Sequence, residues 1–306
     1  MLLAGLQAGA KARGLKVVNV NSNGDAQQQV QDMKQFLVTG VAAMVSTPVD
    51  PTAQAQVQVA GINAGADMNG VVYSPATTEL DQNQYSGGYK LAELAVNYIK
   101  THLGGDANVV ILNQDNTPTI VPRFNGILAA LKTVPGIKVI ANVQPATTDN
   151  QGGFNTMNTI LQEGKTVNVV LGADAVVEGA YQALQADHKL SSKQFLAGVD
   201  CEDLALSYIE KNTVYKACVG LSPGLVGYAQ SQFAADWLEG KSIPQGIDNE
   251  PFAVTSPAAA RAYAAVDNNP ASVWNTPKES DYLQFYGNIS YATRGDYIAF
   301  NWIPAP

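Results

Sequence analysis

Gly40-Val41-Ala42-Ala43-Met44-Val45-Ser46 follows a stretch, Asp25 to Thr39, in which Val30, Met33, Phe36 and Leu37 recur at helical spacing. Gly40 reads as the helix stop, and Ala42 to Ser46 as a short strand apolar on both faces. A strand buried on both sides belongs inside a parallel sheet flanked by helices.

The same unit recurs along the chain. Strands are expected at Leu15 to Val20, Ala42 to Ser46, Val71 to Tyr73, Asn108 to Asn113, Lys138 to Val143 and Val167 to Gly172, and again at Phe195 to Val199, Val214 to Gly220 and Phe252 to Val254. Helices are expected at Leu2 to Ala10, Gly87 to Leu103, Arg123 to Leu131, Asn155 to Leu161, Ala175 to Ala186, Glu202 to Lys211 and Leu225 to Leu238. Strands alternating with helices define an α/β fold, and 306 residues suffice for two domains of ordinary size. From Pro257 to Arg294 the rhythm breaks into Asn- and Pro-rich turns and a Tyr-rich stretch, which reads as an irregular connector. A strand-like run, Tyr297 to Trp302, follows it.

Composition excludes several function classes. Lys and Arg total 18 against 26 Asp and Glu, for a net charge of −8 without basic clusters, so nucleic acid and anionic membranes are poor partners. No apolar stretch is long enough to span a bilayer, and no basic segment precedes the Leu-rich start, so no export signal is visible. His102 and His188 lack ligand spacing, and two cysteines do not make a metal site; no cofactor or metal is expected. There is no Gly-rich phosphate loop, no Gly-x-Ser-x-Gly elbow and no nucleophile beside either His, so no enzyme is expected.

Several segments, in order, resemble the ribose and galactose type (type I) of periplasmic solute-binding protein. Gly40 to Asp50 is similar to that family's strand and Pro-x-Asp turn, and Asn83-Gln84 with Gly87-Gly88 to the start of its first second-lobe helix. Arg123-Phe124-Asn125-Gly126 resembles its Arg-x-x-Gly helix start. Gly172-Ala173-Asp174 with Gly179-Ala180 resembles its Asn-Asp-x-x-x-x-Gly-Ala segment, and Gly198-Val199-Asp200 its Gly-x-Asp strand end. The resemblance implies two Rossmann-like lobes with parallel sheets joined by a three-stranded hinge. It places the first lobe at residues 1–82, 221–254 and 291–306, the second at 83–220, and the hinge return and linker at 255–290. Family members begin with a strand and ligand loop, whereas this sequence opens on the helix. Tyr297 to Trp302 followed by Ile303-Pro304-Ala305-Pro306 is similar to the missing strand and loop, so the chain reads as circularly permuted, with its first strand supplied by the C-terminus.

The resemblance also implies a ligand between the lobes at the carboxyl ends of strands. Asp200 would accept from hydroxyls, and Arg123, a cation at a helix start where the dipole does not favour one, would donate to a ligand oxygen. Asn83 and Gln84 supply amides at the first crossing. Asp174 matches the family's second-lobe carboxylate, Tyr73 ends a first-lobe strand, and the Trp302 indole would cover a sugar face. The competing roles are helix capping for Asn83, Gln84 and Asp200, a surface salt bridge for Arg123, and a core or hinge aromatic for Trp302. Departures stand at Tyr73-Ser74, where the family has Asp-Arg, at Ala173 in place of Asn, at Leu221 near an expected Gln, and at Leu2 and Leu3 in place of aromatics. They favour a deoxy sugar, a short polyol or another less polar solute.

The function implied is an extracytoplasmic solute-binding component of an ABC importer, a monomer that closes about its hinge on a sugar or polyol and is read by a permease. A ligand-sensing domain of a receptor or regulator is the alternative on the same fold. Cys201 follows the strand carrying Asp200 and Cys218 lies in the strand beside it; a disulfide and two buried thiols both stay open.

Overall fold

A computed structural model describes residues 1–71, 77–81 and 83–293. In chain order, α1 (Leu2–Ala12) and α2 (Ala26–Val38) lead to β1 (Ala43–Ser46), α3 (Pro51–Asn63), β2 (Asp67–Val71) and β3 (Thr78–Asp81). Next come α4 (Gln84–His102), β4 (Ala107–Leu112), α5 (Val121–Leu131), β5 (Ile137–Val143), α6 (Asn150–Gln162), β6 (Val169–Ala173) and α7 (Asp174–Ala186). β7 (Phe195–Val199), α8 (Asp203–Glu210), β8 (Tyr215–Gly220) and α9 (Pro223–Leu238) precede β9 (Gly246–Asn249), β10 (Phe252–Val254), α10 (Pro257–Asn268) and β11 (Leu283–Tyr286).

Local chemistry sets many of these ends. Asp25 caps α2 by accepting from the Gln27 and Gln28 amides at 2.9 and 3.0 Å, and Asp50 caps α3 ahead of Pro51. Gly40, at φ 78°, turns the chain out of α2 in the left-handed region that a side chain resists.

The chain forms two compact units. The first holds Met1–Gln82, Pro223–Glu250 and Val266 onward; the second holds Asn83–Ser222 and Pro251–Ala265. In the first unit the strand order is β1-β2-β3-β9-β11, parallel except for β11. Met33, Met44, Val57, Ile62 and Met68 pack between β1, β2 and the helices α2 and α3. In the second unit the order is β10-β8-β7-β6-β4-β5, parallel except for β10. Its core runs through Leu91, Ile99, Val109, Ile111, Ile127, Leu171, Ala197 and Val219, all buried.

Four expectations change. Leu15–Val20 is not a strand, because among the described residues Lys16–Val20 have no backbone partner with which to form a ladder. The strand expected at Val71 begins earlier, at Asp67, its polar Asp67 and Asn69 having hidden it from an apolar pattern. α3 was not anticipated because its Gln-Ala-Gln-Val-Gln-Val run alternates rather than following a helical period. The expected connector holds α10, whose Ala-rich body follows Pro257, and β11, which pairs with β9. Helix α10 packs in the second unit through Tyr263, 1% exposed, whose hydroxyl accepts from the Ser222 amide at 2.8 Å. The segment is therefore structured where a linker was expected. The strand expected at Tyr297–Trp302 lies outside the described residues.

Candidate functional site

Residues expected to bind a ligand converge in the second unit. Val121-Pro122 opens α5, and Arg123 occupies its first turn, buried to 3% exposure. Its Nε donates to Gln84 Oε1 at 2.8 Å, at the first residue of α4. Its two terminal nitrogens face the Asp200 carboxylate at 3.3 and 3.5 Å, a two-pronged pairing at long range. The Asp200 side chain is 39% exposed, so the carboxylate keeps a solvent-facing side while the guanidinium is enclosed. Asn83, in the left-handed region at φ 44°, precedes Gln84 as the residue before α4.

Close backbone packing brings Arg123 to Gln84. A Cβ built on Gly88 would stand 1.8 Å from the Arg123 carbonyl oxygen, and one on Gly126 would stand 2.2 Å from the Tyr85 carbonyl oxygen. Helices α4 and α5 therefore touch backbone to backbone, a contact only glycine permits.

Asp200 leaves the end of β7 at φ 111°, and Cys201 follows at φ 55°. A disulfide from Cys201 to Cys218 in β8 holds this turn, and the Asp200 amide donates to the Val219 carbonyl at 2.9 Å. The pairing left open by the sequence is thus made.

Asp174 lies one layer deeper. It is fully buried; Oδ1 accepts from the Tyr215 hydroxyl at 2.5 Å and Oδ2 from the Glu202 amide at 2.8 Å. Burial, seconded by the Asp200 charge, holds its carboxyl well above the usual range, the Tyr215 hydrogen bond working against the shift. Burial, then the charges of Asp200 and Asp203, also raises Glu202. Both Asp174 oxygens are engaged inside the protein, where they support the turn carrying Asp200.

The structure thus gathers Gln84, Arg123 and Asp200 into one contact, with Asn83 adjoining and Asp174 beneath. Tyr73 and Trp302 lie outside the described residues. Asn113, which follows β4 and was read only as a strand end, is a further polar residue at a carboxyl end of this sheet. It is buried and donates through Nδ2 to Asn142 Oδ1 at 2.9 Å, while its own Oδ1 has no partner among the described residues. A polar residue closing the apolar run Val109-Val110-Ile111-Leu112 was the available signal.

A buried guanidinium, an amide and a half-exposed carboxylate offer donors and acceptors to neutral hydroxyls. Among the described residues no group of three or more metal-ligating side chains is assembled.

Two α/β units, each built on a largely parallel sheet with polar residues at strand ends, define the class of type I two-lobed binding proteins. Residues 2–242 match the family described as Periplasmic binding protein domain, and the chain belongs to that family. The ribose import binding protein RbsB of Bacillus subtilis (strain 168) is 27% identical over 250 residues, covering 80% of this chain and 79% of its own. A Mycobacterium smegmatis structure in complex with β-D-fucofuranose superposes with TM-score 0.79 at 18% identity, covering 94% of each chain. An Actinobacillus succinogenes 130z ABC transporter solute-binding protein with bound D-allose gives TM-score 0.76 at 21% identity, covering 86% of this chain and 94% of its own. At these identities the two structures establish the shared fold.

Proposed function

We propose that this protein is the extracytoplasmic solute-binding component of an ABC importer, taking a small sugar, deoxy sugar or polyol and delivering it to a membrane permease. The observation that carries the reading is the Arg123–Gln84–Asp200 contact. Arg123 donates to a ring or hydroxyl oxygen, Asp200 accepts from one or two hydroxyls on its open side, and Gln84 with Asn83 supplies neutral amide contacts. Tyr73 and Trp302 are further proposed ligand contacts, Trp302 through an indole that would cover the apolar face of the sugar.

The ribose import relative and the solved structures with fucofuranose and allose favour a monosaccharide-sized solute. The apolar side chains of Leu2, Leu3 and Leu221, where the family carries aromatics and a Gln, favour a less polar solute such as a deoxy sugar or a short polyol. An exported location fits the Cys201–Cys218 disulfide, and no described helix is long and apolar enough to cross a membrane. The protein acts as a monomer, and hinge closure on the solute is the signal to the permease.

A thermal-shift screen of pentoses, hexoses, 6-deoxy sugars, inositols and glycerol, followed by calorimetry on hits, tests this. One site with a melting temperature raised by several degrees is expected, and Arg123→Ala should abolish the shift. No hit across the set, or a hit indifferent to both Arg123→Ala and Asp200→Ala, would overturn the assignment.

A further inference from the structure

Asn-Gly occurs three times in the sequence, at Asn23-Gly24, Asn69-Gly70 and Asn125-Gly126, and the fold holds each copy in a different backbone setting. The dipeptide carries latent chemistry. No side chain on the glycine shields its amide nitrogen from the carboxamide carbon of the preceding asparagine, so the pair can close into a five-membered imide wherever the backbone is free to turn.

Two copies are held against that closure. Asn69 lies in β2, which pairs with β1 on one side and β3 on the other, and its side chain is buried. Its Nδ2, the nitrogen that would have to leave, donates to Asp67 Oδ2 at 2.9 Å. Asn125 is exposed but lies on α5, and the Gly126 amide falls within the hydrogen-bonded body of that helix. Gly126 is also packed against α4, since a Cβ there would stand 2.2 Å from the Tyr85 carbonyl oxygen. Turning either peptide breaks a ladder or a packed helix.

Asn23-Gly24 differs on each count. Both residues are exposed, and a Cβ on Gly24 would meet nothing within 4 Å. They occupy the two central positions of a tight turn, with φ at 50° and 79°, closed by the Asp25 amide donating to the Ser22 carbonyl at 2.9 Å. Among the described residues neither the Gly24 amide nor the Asn23 carboxamide has a hydrogen-bond partner, so nucleophile and leaving group are both unrestrained. The next residue, Asp25, is the cap of α2.

We propose that Asn23 is a site of spontaneous covalent modification, its side chain deamidating through a cyclic imide formed with Gly24. The Gly24 nitrogen gives up its proton to solvent base and bonds to Asn23 Cγ. The Cγ–Nδ2 bond breaks, and the departing nitrogen takes up a proton from water and leaves as ammonia. Water then opens the imide at either carbonyl, leaving aspartate or isoaspartate at position 23. Either product adds a negative charge ahead of α2, where the helix dipole favours it. Isoaspartate also adds a methylene to the main chain inside the turn, which draws the Asp25 amide off the Ser22 carbonyl and loosens the α2 cap. This chemistry does not depend on which solute the protein takes.

Peptide mapping by mass spectrometry on the full chain, aged in mildly alkaline buffer, tests it. Position 23 should gain about 1 Da and convert at least about 100-fold faster than Asn69 or Asn125, which must wait for local opening. The rate should rise with pH, and isoaspartate, which direct hydrolysis of the side chain cannot give, should be the main product. Asn23→Gln, whose longer side chain disfavours the ring, should stay unmodified. Aged protein should melt lower than fresh protein, whereas Asn23→Asp, with the charge but not the extra methylene, should melt with the fresh parent. An unchanged position 23, equal conversion at Asn69 or Asn125, or aspartate as the sole product would each overturn the proposal.

Discussion

Gly88 of α4 and Arg123 of α5 are in backbone contact, and this closeness positions a buried guanidinium between an amide and a carboxylate. A Cβ on Gly88 would stand 1.8 Å from the Arg123 carbonyl oxygen, whereas one on the preceding Gly87 would meet nothing nearer than Pro251 Cγ at 4.0 Å. Gly88→Ala should therefore push α5 outward, costing about 2 to 3 kcal/mol of stability and at least about tenfold in solute affinity. Gly87→Ala should be neutral or stabilising by up to about 1 kcal/mol, because Ala favours the helix. Urea unfolding and calorimetry of the pair check both halves.

Removing the partner of Arg123 should separate binding from folding. Asp200→Asn keeps an acceptor and tolerates the positive φ, but leaves the guanidinium without its counter-charge. Because the Asp200 side chain is 39% exposed, solvent screens much of that loss, and a stability cost of about 1 kcal/mol is expected. Solute affinity should fall about tenfold or more, since a charged acceptor becomes a neutral one. Titration calorimetry beside thermal melts distinguishes the two effects.

Asp67 should make the first unit more stable in mild acid. It is fully buried at the start of β2, bonded to Thr77 and Asn69, and burial raises its carboxyl from 3.8 to about 6. The folded state thus binds the proton more tightly than the unfolded state. Its contribution is full below about pH 4 and is lost as pH rises through about 6, a difference of roughly 3 kcal/mol. Asp67→Asn should exceed the parent in stability at pH 7 and converge with it near pH 4. Rotating the Asn69 amide, whose Oδ1 has no partner among the described residues, accommodates the new donor. Denaturant melts of both proteins from pH 4 to pH 8 measure the difference.

Opening the disulfide should loosen the Asp200 turn. Cys201 and Cys218 are 17 residues apart, and a loop of that size corresponds to about 3 kcal/mol in the chain-entropy account. Cys201→Ala with Cys218→Ala should lose stability on that scale and bind solute several-fold more weakly, because Asp200 is adjacent to the bond. Melting curves and affinities of the double variant, compared with the reduced parent, check this.

Much of the second unit was legible in sequence, because Asn108 to Asn113, Val167 to Gly172 and Phe195 to Val199 are apolar in both rows. The strands missed were Thr78–Asp81 and Gly246–Asn249, whose polar residues break that pattern, and Leu283–Tyr286, hidden among turn residues. Leu15–Val20 shows the reverse error: its β-branched run meets the local criterion for a strand, yet a strand exists only where a neighbour completes the ladder.

For the site, sequence identified Gln84, Arg123, Asp174 and Asp200 as residues at element ends, since Gly, Pro and turn signals mark where strands and helices stop. It could not rank them. That Arg123 reaches Gln84 and Asp200 while Asp174 is spent on Tyr215 and the Glu202 amide depends on packing between segments 28 to 77 residues apart. The sequence by itself determined the α/β alternation and the family, because hydrophobic period and glycine placement are local. Only the tertiary structure decided which polar groups meet and which are enclosed, because these follow from how separate elements share one core.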